Sequence, residues 1–236
     1  MSWLRFIAQL AIGASVATGF AAAPSIDRLE PHAIAPRAAS QLTLIGANLD
    51  QATALWTSFD AKVEKVSATS ERAVFKIMPS RASAPALGAL RVYGANGVSN
   101  LQLLLFDSLP TISAAKTNHS SSNAQLLKLP VAVEGAVEEK ASTFFKFNVR
   151  KGERIWFDTA AQRLGSALDP LIRLLDTNGH ELFFCEDTPG AGVDARFSYQ
   201  FSNAGTCLLE LRDTKYGGDS EHFYRLRLGQ LSNEAL

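Results

Sequence analysis

Ser220 and His222 stand with Asp219 and Glu221 in the run Gly217-Gly218-Asp219-Ser220-Glu221-His222. A serine, a histidine and an acid are the parts of hydrolytic catalysis in which an imidazole takes the hydroxyl proton. That chemistry needs the fold to place the three groups, and adjacency along one segment does not place them. The run also lies between two strand-like segments and lacks the strand–turn–helix setting of a nucleophile elbow. It reads as a loop. Catalysis by this chain would require Ser220→Ala or His222→Ala to abolish hydrolysis. Pro189-Gly190-Ala191-Gly192 has no helix pattern after it and reads as a turn, and the chain has no His-Glu-x-x-His zinc pattern.

Three further sets of residues carry candidate chemistry. Asp169, Asp176, Glu186, Asp187, Asp194 and Asp213 could gather calcium at one end of a sandwich, because calcium takes hard oxygen ligands. Against this, Asp169-Pro170 suits a turn, Asp187 suits bonds to backbone amides, and Arg173, Arg196 and Arg212 could pair with the acids. Cys185 and Cys207 are the only cysteines. In an oxidising compartment they could form a disulfide; the alternative is two buried free thiols. Phe144, Trp156, Phe183 and Phe223 fall opposite the presumed core positions and offer a ring platform for sugars or peptide. The alternative is that a neighbouring domain covers that face.

The elements that must position these groups are strands. Segments 41–45, 54–59, 62–67, 73–78, 89–93 and 101–106 are strand candidates, with turns at Gly46-Ala47-Asn48 and Gly94-Ala95-Asn96-Gly97. Pro31, Pro36, Pro79 and Pro85 read as strand ends and loops. Further on, alternation is cleaner. Phe145, Phe147 and Val149 share one face against Lys146, Asn148 and Arg150, and Ile155 and Phe157 continue inward. Phe197, Tyr199 and Phe201 point one way, as do Tyr224, Leu226 and Leu228, the latter opposite Phe223, Arg225 and Arg227. Asn178-Gly179 marks a hairpin, and 160–168 a turn or short helix.

Charge and length bound the rest. The 236 residues carry 23 basic and 23 acidic side chains, so no basic field gathers nucleic acid. Arg5, the uncharged apolar stretch 6–20 and the small residues Ala21-Ala22-Ala23 form a secretion signal, with a cut after Ala21 the workable one. The expected divisions are a signal peptide at 1–23, an immunoglobulin-like sandwich at 24–109, a flexible polar linker at 110–128 and a second sandwich at 129–236. No second apolar span follows, so no membrane span is expected after cleavage. The expected fold class is all-β.

The second sandwich resembles the bacterial pre-peptidase C-terminal domain. The resemblance is carried by Phe144-Phe145-Lys146-Phe147-Asn148-Val149 before Lys151-Gly152-Glu153, then Leu168-Asp169-Pro170-Leu171 and Asn178-Gly179. Glu186-Asp187, Asp194-Ala195-Arg196, Ala204-Gly205-Thr206 and the closing Tyr224-Arg225-Leu226 follow in order, with Cys207 where the family often carries an aromatic residue. The first segment is similar to IPT/TIG immunoglobulin-like domains through Leu42-Thr43-Leu44-Ile45-Gly46-Ala47-Asn48-Leu49 and Val92-Tyr93-Gly94-Ala95-Asn96-Gly97. The resemblance implies a jelly-roll-like second sandwich, and modules that serve as spacers or binding units on exported bacterial proteins, some with calcium. The expectation is an exported, non-catalytic accessory or binding module, secreted or at the periplasm or cell envelope, with a polysaccharide or protein partner. The alternative is the front part of a longer secreted hydrolase whose catalytic domain lies after Leu236.

Overall fold

A computed structural model describes residues 22–80 and 87–230. Most of the expected leader, Pro85 and 231–236 lie outside the described residues. The chain is nearly all strand. The first unit holds β1 (Ser25–Glu30), β2 (Ala33–Ile34), β3 (Ser40–Ala47), β4 (Ala52–Thr57), β5 (Ala61–Ala68), β6 (Arg72–Pro79), β7 (Leu87–Gly94), β8 (Gly97–Val98) and β9 (Gln102–Phe106). They form two sheets, β1-β3-β6-β5 and β2-β9-β7-β4, with β8 hairpinned onto β7. The second unit holds β10 (Thr111–Ser113), β11 (Gln125–Leu126), β12 (Val131–Ala136), β13 (Thr143–Val149), β14 (Arg154–Ala160), β15 (Pro170–Leu175), β16 (Glu181–Cys185), β17 (Arg196–Gln200), β18 (Gly205–Asp213) and β19 (Phe223–Gly229). Its sheets run β10-β12-β19-β14-β17 and β11-β13-β18-β15-β16.

Each sandwich forms because alternate side chains turn inward from two sheets onto one core. In the first, Leu42, Leu44, Phe75, Ile77, Leu90 and Val92 are fully buried. In the second, Phe145, Phe147, Phe157, Leu209, Leu211 and Leu226 are. Burying each such side chain contributes about 1.5–3 kcal/mol against the conformational entropy of the chain. Tyr224 also points into this core, and burial raises its phenol well above the usual range.

The segment expected to be a flexible linker is ordered. Residues 111–113 pair in parallel with β12, and Gln125 and Leu126 pair in parallel with β13, so this stretch supplies one edge strand to each sheet of the second sandwich. Apolar content was a poor guide because main-chain pairing orders it. The Phe144 N–H donates to Asn118 C=O, the Asn118 amide donates back to Phe144 C=O, and Ala124 and Leu127 are buried below.

Two other expectations change. β19 does not alternate: all seven of its residues are buried, because it is a central strand whose outer face is covered. The Asn178-Gly179 hairpin joins β15 to β16 but as a longer loop over 176–180. In that loop Asp176 Oδ1 accepts the N–H of Asn178 and of His180, and only Gly179 (φ 86°) needs the left-handed region. The short-helix expectation for 160–168 is met by one 3-10 turn, Gln162–Leu164.

Candidate contact surfaces

The outer face of β19 is where the two sandwiches meet. Arg225 is 1% exposed and donates through Nε and Nη2 to Asp107 Oδ2 (3.0 and 2.8 Å) and through Nη1 to Glu134 Oε1 (2.7 Å). Its Nη2 also reaches Thr111 Oγ1 at 3.1 Å. Burial pushes the Glu134 carboxyl up, but His32 and the Arg225 guanidinium outweigh it and hold it below the usual carboxylate range. Beside this network, His32 from the loop after β1 stacks on Phe223, rings 4.3 Å apart and 12° from parallel. Leu87, Leu103, Leu105 and Ala33 of the first sandwich pack against Ala160, Leu164 and Phe223 of the second. Phe223 is therefore buried in the junction and is no contact residue.

The remaining ring candidates do not form one platform. Phe144, on an outer face, is partly covered by Ala124, Leu175 and Leu208. Trp156 lies on β14 in the other sheet and is also half-buried. Phe183 turns inward between the sheets, stacked on Phe197 at 4.5 Å and near Tyr199. Phe183 nonetheless stays 37% exposed at the sheet edge, and the adjacent Phe184 is 45% exposed.

The six acids are spent separately. Asp194 is fully buried and accepts the N–H groups of Ala161, Gln162 and Arg163, with its carboxyl raised by burial against the pull of Arg163. Asp213 accepts the N–H groups of Asp169, Lys215 and Gly217, which together outweigh burial and hold its carboxyl low. Asp169 takes the Thr214 hydroxyl at 2.8 Å, and Asp176 takes the His180 ring at 3.0 Å. Glu186 and Asp187 are exposed. Among the described residues no three metal-capable side chains come together. The expected arginine partners differ too: Arg173 pairs with Glu181 and Glu210, Arg212 donates to the carbonyls of Asp213 and Thr214, and Asp194 meets Arg163.

Cys185 and Cys207 are buried free thiols. Cys185 lies opposite Ile172, and Ile172 opposite Leu211, so the two cysteines are two strands and about four residues apart. That is on the order of 15 Å, more than twice the reach of a disulfide. Burial first, and the Asp176 charge second, push the Cys207 thiol up to about 11. The expected result is two titratable thiols after unfolding, little reaction of the folded protein at neutral pH, and an unchanged melting temperature in reductant. Titration of the thiols checks this; a mass deficit of two hydrogens would contradict it.

His222 is held by Asp219 (Nδ1 to Oδ1, 2.8 Å) and packs over Gly217 in the loop before β19. Ser220 is exposed, and Asp219 also accepts the N–H of Glu221 and, at its carbonyl, the N–H of His222, so the acid and the histidine close a turn.

A further pair of exposed rings lies on the first sandwich. Leu55 points inward from β4, so Trp56 points out, and Leu90 and Val92 do the same for Arg91 and Tyr93 on β7. Trp56 lies opposite Arg91, and Tyr93 opposite Val98 of β8. The two rings are thus diagonal neighbours on one face, about 7–8 Å apart. Trp56 is 48% exposed, Tyr93 44% and Val98 54%. The other end of this face, at Leu87, Leu103 and Leu105, is the part packed against the second sandwich. Leu55-Trp56 alternation is the signal that could have found this surface.

No family model matches the chain, and no curated protein sequence matches it. Solved structures do. The pre-peptidase C-terminal domain of collagenase from Bacillus anthracis is 11% identical, at a TM-score of 0.36, over 52% of this chain and 99% of that one. PliG of Aeromonas hydrophila, a periplasmic inhibitor of g-type lysozyme, is 13% identical at a TM-score of 0.32, over 52% of this chain and 95% of its own. SGBP-B from a complex xyloglucan utilization locus in Bacteroides uniformis is 11% identical at 0.31, over 89% of this chain and 74% of its own. Likeness at this level leaves function to the residues of the chain itself. Among the described residues no helix is long and apolar enough to cross a membrane.

Proposed function

We propose that the chain is an exported, non-catalytic binding module that holds an extracytoplasmic polysaccharide against the outer face of its first sandwich. The observation that carries this is the Trp56–Tyr93 pair: two half-exposed rings on one sheet face, with Arg91 opposite Trp56 and two positions along β7 from Tyr93. An exposed indole costs solubility unless it has a use, and ring faces at this spacing suit the C–H faces of successive sugars. The buried Arg225 network supports the reading, because it fixes the second sandwich against the other end of that face. The leader read in 1–23 supports export.

The test is retention on insoluble envelope and matrix polysaccharides. The protein is expected to be retained on at least one, and Trp56→Ala or Tyr93→Ala to weaken retention by about 2 kcal/mol, roughly thirtyfold, with the melting temperature unchanged. Retention on none, with capture of a protein partner instead, would contradict the reading. The intact mass of the exported protein separates a stand-alone module ending at Leu236 from the accessory part of a longer hydrolase.

A further inference from the structure

Each sheet of the two sandwiches ends in strands whose outward N–H and C=O groups have no ladder partner. Such edges recruit other chains unless something blocks them. Most edges of this protein are blocked by a side chain. On β1, Asn100 accepts the Ile26 N–H at 2.7 Å and donates to the Ile26 carbonyl at 2.8 Å. On β4, Lys65 Nζ donates to the Ala52 carbonyl at 3.0 Å. At β10, Gln125 donates to the Ser113 carbonyl and accepts the Ala115 N–H. On β17, Thr188 Oγ1 accepts the Arg196 N–H at 2.8 Å and donates to the Arg196 carbonyl at 2.9 Å. β5 is bulged at Lys65 and carries Lys62 and Glu64, while β2 and β11 are two residues long.

β16 is the exception among the described residues. It ends its sheet beside β15, and no side chain bonds the main chain of 181–185. Leu182-Phe183-Phe184-Cys185 is a run of four uncharged residues without lysine or proline. Phe183 and Phe184 are 37% and 45% exposed. The bulge in the pairing with β15 falls at Leu182, so Phe183, Phe184 and Cys185 keep a regular pleat. Phe184 lies opposite Arg173 on the outer face, and Phe183 and Cys185 lie opposite the core residues Leu174 and Ile172.

Whatever covers this edge must match its pleat, its apolar run and its charge. A second copy of the chain does so. Directly opposed residues of an antiparallel pair share a face. A two-fold axis at Phe184 therefore sets Phe184 against Phe184 outside, and Phe183 against Cys185 inside. Aromatic rings opposed across strands attract one another. Of the flanking acids, Glu186 falls opposite the apolar Leu182 of the other copy. Glu181, which comes nearest Asp187 of the other copy, is already held by Arg173 at 2.7 Å. The 23 basic and 23 acidic side chains leave no net charge to keep two copies apart.

We propose that two copies of this chain pair antiparallel along β16, joining two five-stranded sheets into one. The contact is isologous, so it closes at two copies. It does not use the Trp56 face and stands apart from the polysaccharide reading. Pairing along one short strand belongs with the small, weak interfaces, under about 1,200 Å², so micromolar affinity is expected.

The experiment is sedimentation velocity of the whole protein from about 1 to 100 μM, a range that brackets micromolar affinity. A monomer that becomes a dimer across this range is expected. Phe184→Lys places at the edge the residue that blocks such edges elsewhere, and should raise the dimer dissociation constant about tenfold or more. Amide hydrogen exchange of the wild type reads the pairing without any substitution. Exchange within 181–185 should slow at the high concentration, while that of β5, β4 and β1 stays the same. A monomer throughout the range overturns the proposal. So does a dimer whose 181–185 amides exchange equally fast at both concentrations, or one that persists unweakened in folded Phe184→Lys, since either would join through another face.

Discussion

Arg225→Ala is expected to destabilise the protein by about 3–5 kcal/mol and to split its unfolding into two transitions. The side chain is buried against Asp107, which is 5% exposed, and Glu134, which is 16% exposed. Removing the guanidinium leaves two poorly solvated carboxylates facing one another and strips the donor from Thr111 Oγ1. It also cuts the polar tie between Asp107, just after the last strand of the first sandwich, and the second. What remains between the units is the small apolar cluster of Leu87, Leu103, Leu105, Ala160, Leu164 and Phe223. Urea melts followed by tryptophan fluorescence check this, since Trp56 and Trp156 report on different sandwiches. Replacing Arg225, Asp107 and Glu134 together by apolar residues of similar volume should recover most of the loss, because a removed ion network costs far less than a broken one. A single Arg225→Ala transition at wild-type stability would mean that the network holds nothing.

Asp158→Ala is expected to cost a similar 3–5 kcal/mol, inside the second sandwich alone. Asp158 is fully buried, receives Arg163 Nη2 on both oxygens at 2.6 and 2.7 Å, and accepts Arg227 Nε at 2.7 Å. Arg227 is itself only 4% exposed, so truncating the acid leaves a buried cation without its main counter-charge. Burial pushes the Asp158 carboxyl up, but Arg227 and then Arg163 outweigh it and hold it below its ordinary 3.8. A carboxyl lowered on folding contributes stability that is present above the unfolded-state value and is lost as pH falls through the folded one. The stability gap between wild type and Asp158→Asn should therefore be full at neutral pH and shrink as pH falls below about 4. Denaturant melts of the two proteins from pH 7 to pH 3 measure it. A gap that widens in acid would reverse the assigned sign.

Much of the fold was legible because the strands are amphipathic. Phe145, Phe147 and Val149 alternate with Lys146, Asn148 and Arg150, and period two on a half-buried strand leaves one solution for which face turns inward. The same rule failed on β19, where Phe223, Arg225 and Arg227 are buried on the second face. Two of those three are arginines, and a charged side chain reads as solvent-facing until its counter-charges are found, here 118 positions away at Asp107 and 69 away at Asp158. The edge strands within 110–128 were hidden for a related reason. Their order comes from main-chain pairing, which side-chain polarity does not report.

The candidate sites were less legible than the fold. Asp194 and Asp213 look like ligands in a list of acids, yet each is spent on three backbone N–H groups of a turn, and that use depends on loop geometry alone. Cys185 and Cys207 look like a pair until register sets them two strands apart. Trp56 was readable in principle, since Leu55 beside it is a core residue, but its meaning depends on Tyr93, which topology brings alongside from 37 positions away.

Hydroxyl-radical footprinting of the protein bound to the polysaccharide that retains it tests the binding account most directly. Protection is expected at Trp56, Tyr93 and Val98, with Phe184 on the opposite unit unchanged. Protection confined to Phe184 and its neighbours, with Trp56 as reactive as in the free protein, would contradict the assignment of the contact face.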